Sequence, residues 1–181
     1  GYNSFDGLLK IVHERIEANQ LHYAITNLDD AIIDYSIDKV LDDFISNASP
    51  RLKGLFNEGQ VAFFVSPNIY HEYENFLNVR FEEASYTDRQ QGRKQLMYRG
   101  FPVVEVNLEP AITSSDFSDS FIIFTDRRNL VMAVNTADSP GSEIRMWYNP
   151  DEMENRQRAV FAIGCEILDE ELVGAGIYKL D

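Results

Sequence analysis

The run Val61-Ala62-Phe63-Phe64-Val65-Ser66-Pro67 gives the strongest indication of the fold class. Its five apolar residues have strand length, and an apolar run without alternation is typical of a strand buried on both faces. Ser66 is a favoured helix N-cap and Pro67 suits the first helical position, so the stretch predicts a direct step from strand to helix. That helix continues through apolar residues at helical spacing, namely Ile69, Tyr73, Phe76 and Leu77.

Towards the N-terminus the sequence predicts helices. Asp6 is a candidate N-cap for an amphipathic helix with the apolar residues Leu8, Ile11, Val12 and Ile16. Residues 19–35 are mixed and predict an exposed connection. Ser36 is expected to cap a second helix, whose apolar face consists of Ile37, Val40, Leu41, Phe44, Ile45 and Ala48. Ser49-Pro50 ends this helix, because the residue before a proline avoids the helical conformation, and a short helical turn is expected at 52–56.

Beyond residue 100 the sequence predicts strands. Phe101–Val106 is expected to start at a sheet edge, because Pro102 lacks a backbone N–H. Residues 121–124 and 130–134 flank a polar turn and predict a hairpin. Further strands are predicted at 143–148, 160–167 and 172–180, with polar loops at 82–95 and 107–119. Helices followed by mainly antiparallel strands indicate the α+β class.

Composition excludes several kinds of protein. The 181 residues include 30 acidic and 16 basic side chains, which gives a formal net charge of −14 at pH 7. Duplex DNA and anionic membranes are poor partners for such a chain, because phosphate neutralisation requires a surplus of Lys and Arg. The single cysteine, Cys165, excludes a disulfide framework and is expected to act as a small buried hydrophobe. No membrane-spanning run or signal peptide is found, and because the chain does not begin with Met we expect a processed chain or an expressed fragment.

Motifs for catalysis or cofactor binding are incomplete. His13 and His71 each precede a Glu, as in a zinc-protease helix, but the second ligand position holds Glu17 or Asn75. Gly174 and Gly176 begin a dinucleotide pattern that Lys179 interrupts. The acidic run at 29–43 lacks the glycine of a calcium loop, so a solvated helix face is expected, with weak divalent binding as the alternative. We therefore predict no enzymatic activity, no metal site and no cofactor.

The polar segment Glu82–Gln95 is the candidate functional loop. Long loops inside a compact domain are often functional, and this one is the most basic part of the chain. We expect it to contact an acidic surface on a neighbouring copy of the chain, with a solvated loop as the alternative. The predicted subunit-interface residues are Arg89, Arg93 and Lys94.

In order and spacing, these segments resemble the C-terminal part of tailed-phage major capsid proteins with the Hong Kong 97-like fold. Six short stations carry the resemblance: Phe5-Asp6-Gly7-Leu8; Phe64-Val65-Ser66-Pro67; Gly92-Arg93; Gly100-Phe101-Pro102-Val103-Val104; Phe121-Ile122-Ile123-Phe124-Thr125-Asp126; and Asn155 followed by Phe161-Ala162-Ile163-Gly164-Cys165-Glu166. Thr125 stands where the family frequently has Gly.

The resemblance implies a division of the chain. Residues of roughly 20–135 would form the axial (A) domain, and roughly 1–19 with 136–181 would form parts of the peripheral (P) domain. The N-terminal arm, E-loop and spine helix of the family have no counterpart in the sequence. Some family members join neighbouring subunits through a Lys–Asn bond. Asn155 stands in a comparable place, but the loop that offers the lysine has no counterpart, so the bond is not predicted.

The resemblance also implies a function. The chain would be a structural subunit of an icosahedral phage or prophage capsid that assembles with copies of itself around double-stranded DNA, without strong sequence-specific DNA binding and without a membrane. Scaffold and portal proteins would be partners, and assembly in the bacterial cytoplasm would lead to the virion. The alternatives are an encapsulin-like nanocompartment shell and an unrelated acidic α+β enzyme that uses Asp, Glu and His.

Overall fold

The computed structural model describes residues 7–80, 86–87, 95–107, 120–134, 143–160 and 163–178. Its helices are α1 (Leu8–Glu17), α2 (Leu28–Tyr35), α3 (Ile37–Ser46), α4 (Pro50–Gly54) and α5 (Pro67–Arg80). Its strands are β1 (Tyr23–Ile25), β2 (Val61–Val65), β3 (Tyr86–Thr87), β4 (Gln95–Tyr98), β5 (Phe101–Glu105), β6 (Phe121–Asp126), β7 (Leu130–Val134), β8 (Glu143–Asn149), β9 (Glu154–Val160), β10 (Ile163–Ile167) and β11 (Val173–Ile177).

A seven-stranded sheet organises the molecule, with the strand order β1-β11-β6-β2-β5-β4-β3. Strand β2 lies at its centre, parallel to β5 and antiparallel to β6. Phe63 of β2 is fully buried and Phe64 is half-buried, as expected for a strand covered on both faces. The prediction for Val61–Val65 and for the helix that follows is confirmed, and so is the mixed class with N-terminal helices and a strand-rich C-terminal half.

Alternation along β2 directs its side chains into two apolar clusters. Phe63 joins the larger cluster, where the sheet meets α2, α3, α4 and α5. Phe64 packs against the smaller cluster, which α1 forms with the opposite face through Ile11, Val12 and Ile16. Helices therefore cover both faces of the sheet.

Two glycines in β11 allow α3 to approach the sheet closely. A Cβ on Gly174 would lie 3.0 Å from Phe44 Cδ1, and one on Gly176 would lie 3.1 Å from Phe44 Cζ and 3.3 Å from Leu28 Cδ1. The Phe44 ring, which is 1% exposed, therefore occupies the space that side chains at these strand positions would fill. These glycines allow helix–sheet packing. From the sequence alone, they are considered only as the start of a dinucleotide-binding pattern.

The predicted hairpin over residues 121–134 is wrong. Strand β6 pairs with β2 on one side and with β11 on the other, so both of its edges are occupied. A 3₁₀ turn at Arg127–Asn129 redirects the chain, and β7 pairs with β10 instead. Of the strand predicted at 160–167, Val160 ends β9 and Ile163–Ile167 is β10, which pair with β8 and β7 respectively, and residues 161–162 lie outside the described residues.

The edge assignment of Pro102 is wrong as well, because β5 lies between β2 and β4. Pro102 precedes Val103–Glu105, the residues that pair with β2. Of β4, only Gln95 falls within the loop predicted at 82–95, and the sequence predicts no element for 96–98. Strand β4 joins β5 through Arg99 and Gly100, whose φ angles of 48° and 88° suit a two-residue type I′ turn.

Predictions at the helix ends need three corrections. Residues 19–35 contain β1 and α2 rather than an exposed connection. Gly7 occupies the N-cap position of α1, while Asp6 lies outside the described residues. Ser36 precedes α3 but makes no side-chain cap; its hydroxyl donates to the Asp38 carboxylate. Ser49 does cap α4, since its side chain accepts from the Leu52 N–H at 3.0 Å.

We predict that Gly176→Ala lowers the free energy of unfolding by about 1–3 kcal/mol, because the new methyl group overpacks the contact with Phe44 and Leu28. Urea denaturation measures the change. Gly164→Ala in β10 is the matched control, because a Cβ there meets nothing within 4 Å. Equal stability of the two variants would contradict the role assigned to Gly176.

Candidate assembly surface

Two antiparallel two-stranded ribbons, one nested within the other in sequence, lie between β6 and β11. The first, which we call the base, pairs β7 with β10, with Leu130 opposite Ile167 and Val134 opposite Ile163. The second, which we call the tip, pairs β8 with β9, with Glu143 opposite Val160 and Asn149 opposite Glu154. We call residues 130–134, 143–160 and 163–167 the β-arm. Its strands are nested in sequence, so the arm leaves the sheet after β6 and returns before β11.

The buried side chain of Asn129 fastens the base of the β-arm. Its amide Nδ2 donates to the Asp169 carbonyl oxygen at 2.9 Å, and its Oδ1 accepts from the Asp169 N–H at 2.9 Å. Nδ2 also lies 3.3 Å from Thr125 Oγ1, and the Leu168 N–H donates to the Asn129 carbonyl at 3.1 Å. One amide side chain therefore joins the chain where it enters the arm to the chain where it leaves.

Charged groups reinforce the corner beside this clamp. The Asp126 carboxylate, 3% exposed, accepts hydrogen bonds from the Arg128 backbone N–H at 2.8 Å, Nε at 3.0 Å and Nη2 at 2.7 Å. The same guanidinium reaches Glu58 Oε2 at 2.5 Å. Hydrogen bonds from Arg128 lower the pKa of Asp126, because they favour the charged carboxylate.

A groove separates α1 from the base of the β-arm. Its volume is 490 Å³, and its polar lining includes Glu14, Arg15 and Glu166. Arg15 lies 3.6 Å from Glu166, 3.2 Å from Glu170 and 2.8 Å from Gln20. The guanidinium thus holds two carboxylates in ion pairs, an arrangement that ties α1 to the arm.

The apolar side of the base runs from the core into solvent. Leu130 and Ile167 belong to the smaller apolar cluster. Further out on the same face, Met132 is 69% exposed, Val134 51% and Ile163 39%. These residues form an exposed apolar patch continuous with the core, a feature typical of protein–protein contact sites.

The tip of the β-arm is exposed on both faces. Arg145, Met146, Trp147 and Tyr148 are consecutive and all exposed, although alternate residues of a strand point to opposite sides. Met146 is 78% exposed and Tyr148 58%, while Trp147 on the other face is 47% exposed. A two-stranded ribbon is marginally stable alone in water, so this one is a surface suited to a partner.

The two faces of the tip differ in chemistry. On one, Met146 lies opposite Gln157 and Tyr148 opposite Asn155, so the face is uncharged there. On the other, Trp147 lies opposite Arg156 and Arg145 opposite Arg158. Three arginines and an indole thus share one face in a protein of net charge −14.

The residues predicted for a subunit interface cannot be placed. Arg89, Arg93 and Lys94 lie outside the described residues, as does most of the loop Glu82–Gln95. The loop prediction is wrong where the structure describes it, because Tyr86 and Thr87 of β3 pair with Leu96 and Gln95 of β4. Asn155 lies on β9 opposite Tyr148 and is exposed.

Other sequence candidates lie apart from the β-arm tip. His13 and His71 are surface residues near Glu17 and Glu74, at 3.4 and 3.8 Å. Cys165 is half-buried beside the smaller cluster. Of the acidic run, Asp43 is exposed, whereas Asp42 is half-buried and lies 2.8 Å from Arg99. Within the described ranges, no group of three or more His, Cys, Asp and Glu could hold a metal ion.

The sequence contains one signal for the tip of the β-arm. In the strand predicted at 143–148, Ile144, Met146 and Tyr148 alternate with other residues and share one face. Strand β9 has polar residues on both faces from Glu154 to Arg158, which removes the period-two pattern. A strand without period-two apolar residues has no face suited to a core, which fits a ribbon exposed to solvent.

None of the described helices is long and apolar enough to cross a lipid bilayer.

The comparisons with known proteins give low similarities. No protein-family model matches the sequence. No curated protein matches it either. Among solved structures, the satellite phage P4 procapsid including size determination (Sid) protein is similar at 15% identity and a TM-score of 0.48, over 81% of this chain and 39% of that chain.

Two further solved structures are similar over more of the chain. The holo-SrpI encapsulin complex from Synechococcus elongatus PCC 7942 has 10% identity and a TM-score of 0.45, over 98% of this chain and 67% of that chain. A Mycobacterium phage Che8 structure has 13% identity and a TM-score of 0.44, over 94% and 63%. The chain thus spans less than half of the P4 procapsid chain and about two thirds of the other two.

We predict that Asn129→Asp lowers the free energy of unfolding by about 1–3 kcal/mol, because a carboxylate oxygen would replace the amide donor that faces the Asp169 carbonyl. Chemical denaturation at neutral pH measures the loss. Asn155→Asp makes the same chemical change at an exposed position and should shift stability by less than about 0.5 kcal/mol. Comparable losses in both variants would contradict the clamp.

Asp126 should make stability depend on pH. Its pKa lies below the ordinary 3.8 in the folded chain, so its stabilising contribution is complete above that value and is lost as pH falls through the folded pKa. We therefore expect Asp126→Asn to be less stable than the parent chain at pH 7, with the difference shrinking below about pH 4. Urea titrations at both pH values measure it. A difference that grows in acid would contradict the assignment.

Proposed function

We propose that this chain is a structural subunit of a protein shell, namely an icosahedral phage or prophage capsid of the Hong Kong 97-like type that encloses double-stranded DNA. The observation that carries the proposal is the tip of the β-arm, where Met146, Trp147 and Tyr148 are exposed on both faces of a two-stranded ribbon. Such a surface serves binding rather than catalysis. The six short sequence segments described above resemble the capsid family, and a binding role is what this family implies.

Several stations fall on elements that suit the resemblance. Phe64-Val65-Ser66-Pro67 is the end of β2 and the start of α5. Phe101–Val104 lies in β5, and Phe121–Asp126 is β6. These strands are neighbours of β2 in one sheet. Segments that are far apart in sequence are therefore adjacent in space. This adjacency supports the view that they belong to one fold and are not chance apolar runs.

The negative net charge of the chain supports a role in enclosing DNA without binding it tightly. A net charge of −14 repels phosphate, so a shell of many such subunits would let a genome enter and leave. The axial and peripheral divisions, the scaffold and portal partners, assembly in the bacterial cytoplasm and a place in the virion belong to the same proposal. We also propose that Arg89, Arg93 and Lys94 contact a neighbouring subunit.

The test is negative-stain electron microscopy of the protein expressed from its full gene, alone and with the products of neighbouring genes. We expect closed icosahedral shells. In a shell, identical subunits contact one another around rotation axes, and such contacts form closed rings when the rotation returns to the first subunit. Nuclease-protected DNA inside the particles would support the capsid. An encapsulin-like shell would instead contain protein, beside a gene for a cargo enzyme.

Dispersed subunits under every co-expression condition would contradict the proposal. The contrasting expectation for an enzyme is a pocket where carboxylates converge with raised pKa values. In the groove at α1, Glu166 is instead ion-paired with Arg15, which also pairs with Glu170. Turnover of a substrate by the protein in an activity screen, together with the absence of particles, would favour the enzyme alternative.

A further inference from the structure

We propose that the free edge of β8 is a self-complementary contact, through which the β-arm tip pairs with the same strand of a second copy. Strands β8 and β8′ would run antiparallel about a two-fold axis and form a four-stranded sheet in the order β9-β8-β8′-β9′. This inference rests on the proposed role as a self-associating shell subunit and names one contact that the shell would use.

The first observation is that one edge of β8 has no strand partner among the described residues. In the part of the chain that the structure describes, β8 pairs with β9 alone and the two form a sheet of two strands. Strand β8 has seven residues, Glu143–Asn149. A long edge strand with exposed apolar side chains is a template for pairing with another chain. Met146 and Trp147 provide those side chains at the middle of the edge.

The second observation is the match that β8 makes with itself. Antiparallel pairing over all seven residues has one register, with Met146 opposite Met146 of the copy. Arg145 then lies opposite Trp147 of the copy, and the two-fold axis repeats this pair. Directly opposite side chains are within contact distance. The register therefore gives a thioether pair flanked by two Arg–Trp pairs, which are favourable cation–π partners.

The third observation is that β9 does not match itself. It also has seven residues, Glu154–Val160. Its full-length antiparallel register is centred on Gln157 and places Arg156 opposite Arg158 of the copy, twice. Like charges directly opposite each other destabilise a sheet. The β8 edge therefore has the more favourable register with its own copy, although Glu152 pairs with Arg156 on the β9 side. This difference favours a closed pair over an open stack of ribbons.

A two-fold pair of this kind is self-limiting. Each copy contributes the same edge, so the contact is isologous and closes after two chains. One pair of seven-residue edges buries less area than the 1,200–2,000 Å² or so of a stable interface. We therefore expect the isolated chain to be monomeric or weakly dimeric at micromolar concentration, with the pair becoming permanent only when other contacts of a shell add to it.

Cysteine cross-linking tests the register directly. Met146→Cys in a chain that also carries Cys165→Ala should form a covalent dimer when treated with oxidised glutathione, because the two thiols would face each other at the axis. Gln157→Cys in the same background is the matched control. Gln157 lies opposite Met146 on the same face of the same ribbon, so it differs in the edge it occupies, and it should remain monomeric on a non-reducing gel.

Sedimentation velocity tests the contact without an oxidant. Met146→Lys would place two ammonium groups at the axis, and we expect the association constant to fall at least about tenfold. Gln157→Lys adds the same charge on β9 and should change it by less than about twofold. Equal cross-linking or equal association of the two variants in each pair would overturn the β8 edge as the contact, and so would failure of both cysteine variants to cross-link.

The two proposals can fail separately. Shells that form normally from the Met146→Lys protein would overturn the β8 contact and leave the shell function standing. Selective cross-linking of the Met146→Cys chain, combined with a full-length protein that never forms particles, would support the contact and overturn the shell function.

Discussion

The position of α3 depends on the absence of two side chains. Phe44 lies on β11 where Gly174 and Gly176 leave the strand surface bare. Its ring also contacts Tyr23 of β1 edge to face, at 5.3 Å between centroids. A single aromatic side chain thereby joins a helix to two adjacent strands that lie far apart in sequence. The larger apolar cluster is built outward from this contact and includes the stacked pair Phe63 and Phe124, 4.3 Å apart.

Local sequence was sufficient where one segment determined its own conformation. The run Val61–Val65 and the Ser66-Pro67 step define β2 and α5 without reference to the rest of the chain, and both were predicted. Ser66 also shows how the next level enters: its backbone N–H donates to the Phe121 carbonyl at 3.1 Å, and its carbonyl accepts from Tyr70 at 3.0 Å. The same residue links strand, helix and neighbouring strand.

Prediction failed where the choice of partner lies outside the segment. The hairpin at β6 and β7 has suitable turn residues, but β6 is already paired on both sides. The need for glycine at two positions of β11 becomes clear only when the position of Phe44 above them is known. Strand β9 was missed because a ribbon in solvent needs no apolar face. Of the candidate surface, the apolar residues of β8 were recognised, but their exposure depends on packing, and Arg89, Arg93 and Lys94 remain untested.

The order of strands also governs when the sheet can be completed. Strand β1 pairs with β11, near opposite ends of the described chain, and β11 in turn fills the space beside β6. A ribosome delivers β1 early, long before its partner exists, so the nascent chain exposes an unpaired β6 edge while the β-arm is being made. The arm, by contrast, is built from neighbours in sequence and can zip locally. The β8–β9 ribbon can therefore form before the seven-stranded sheet is complete, so the nascent chain exposes the edges of β8 and β6 at the same time.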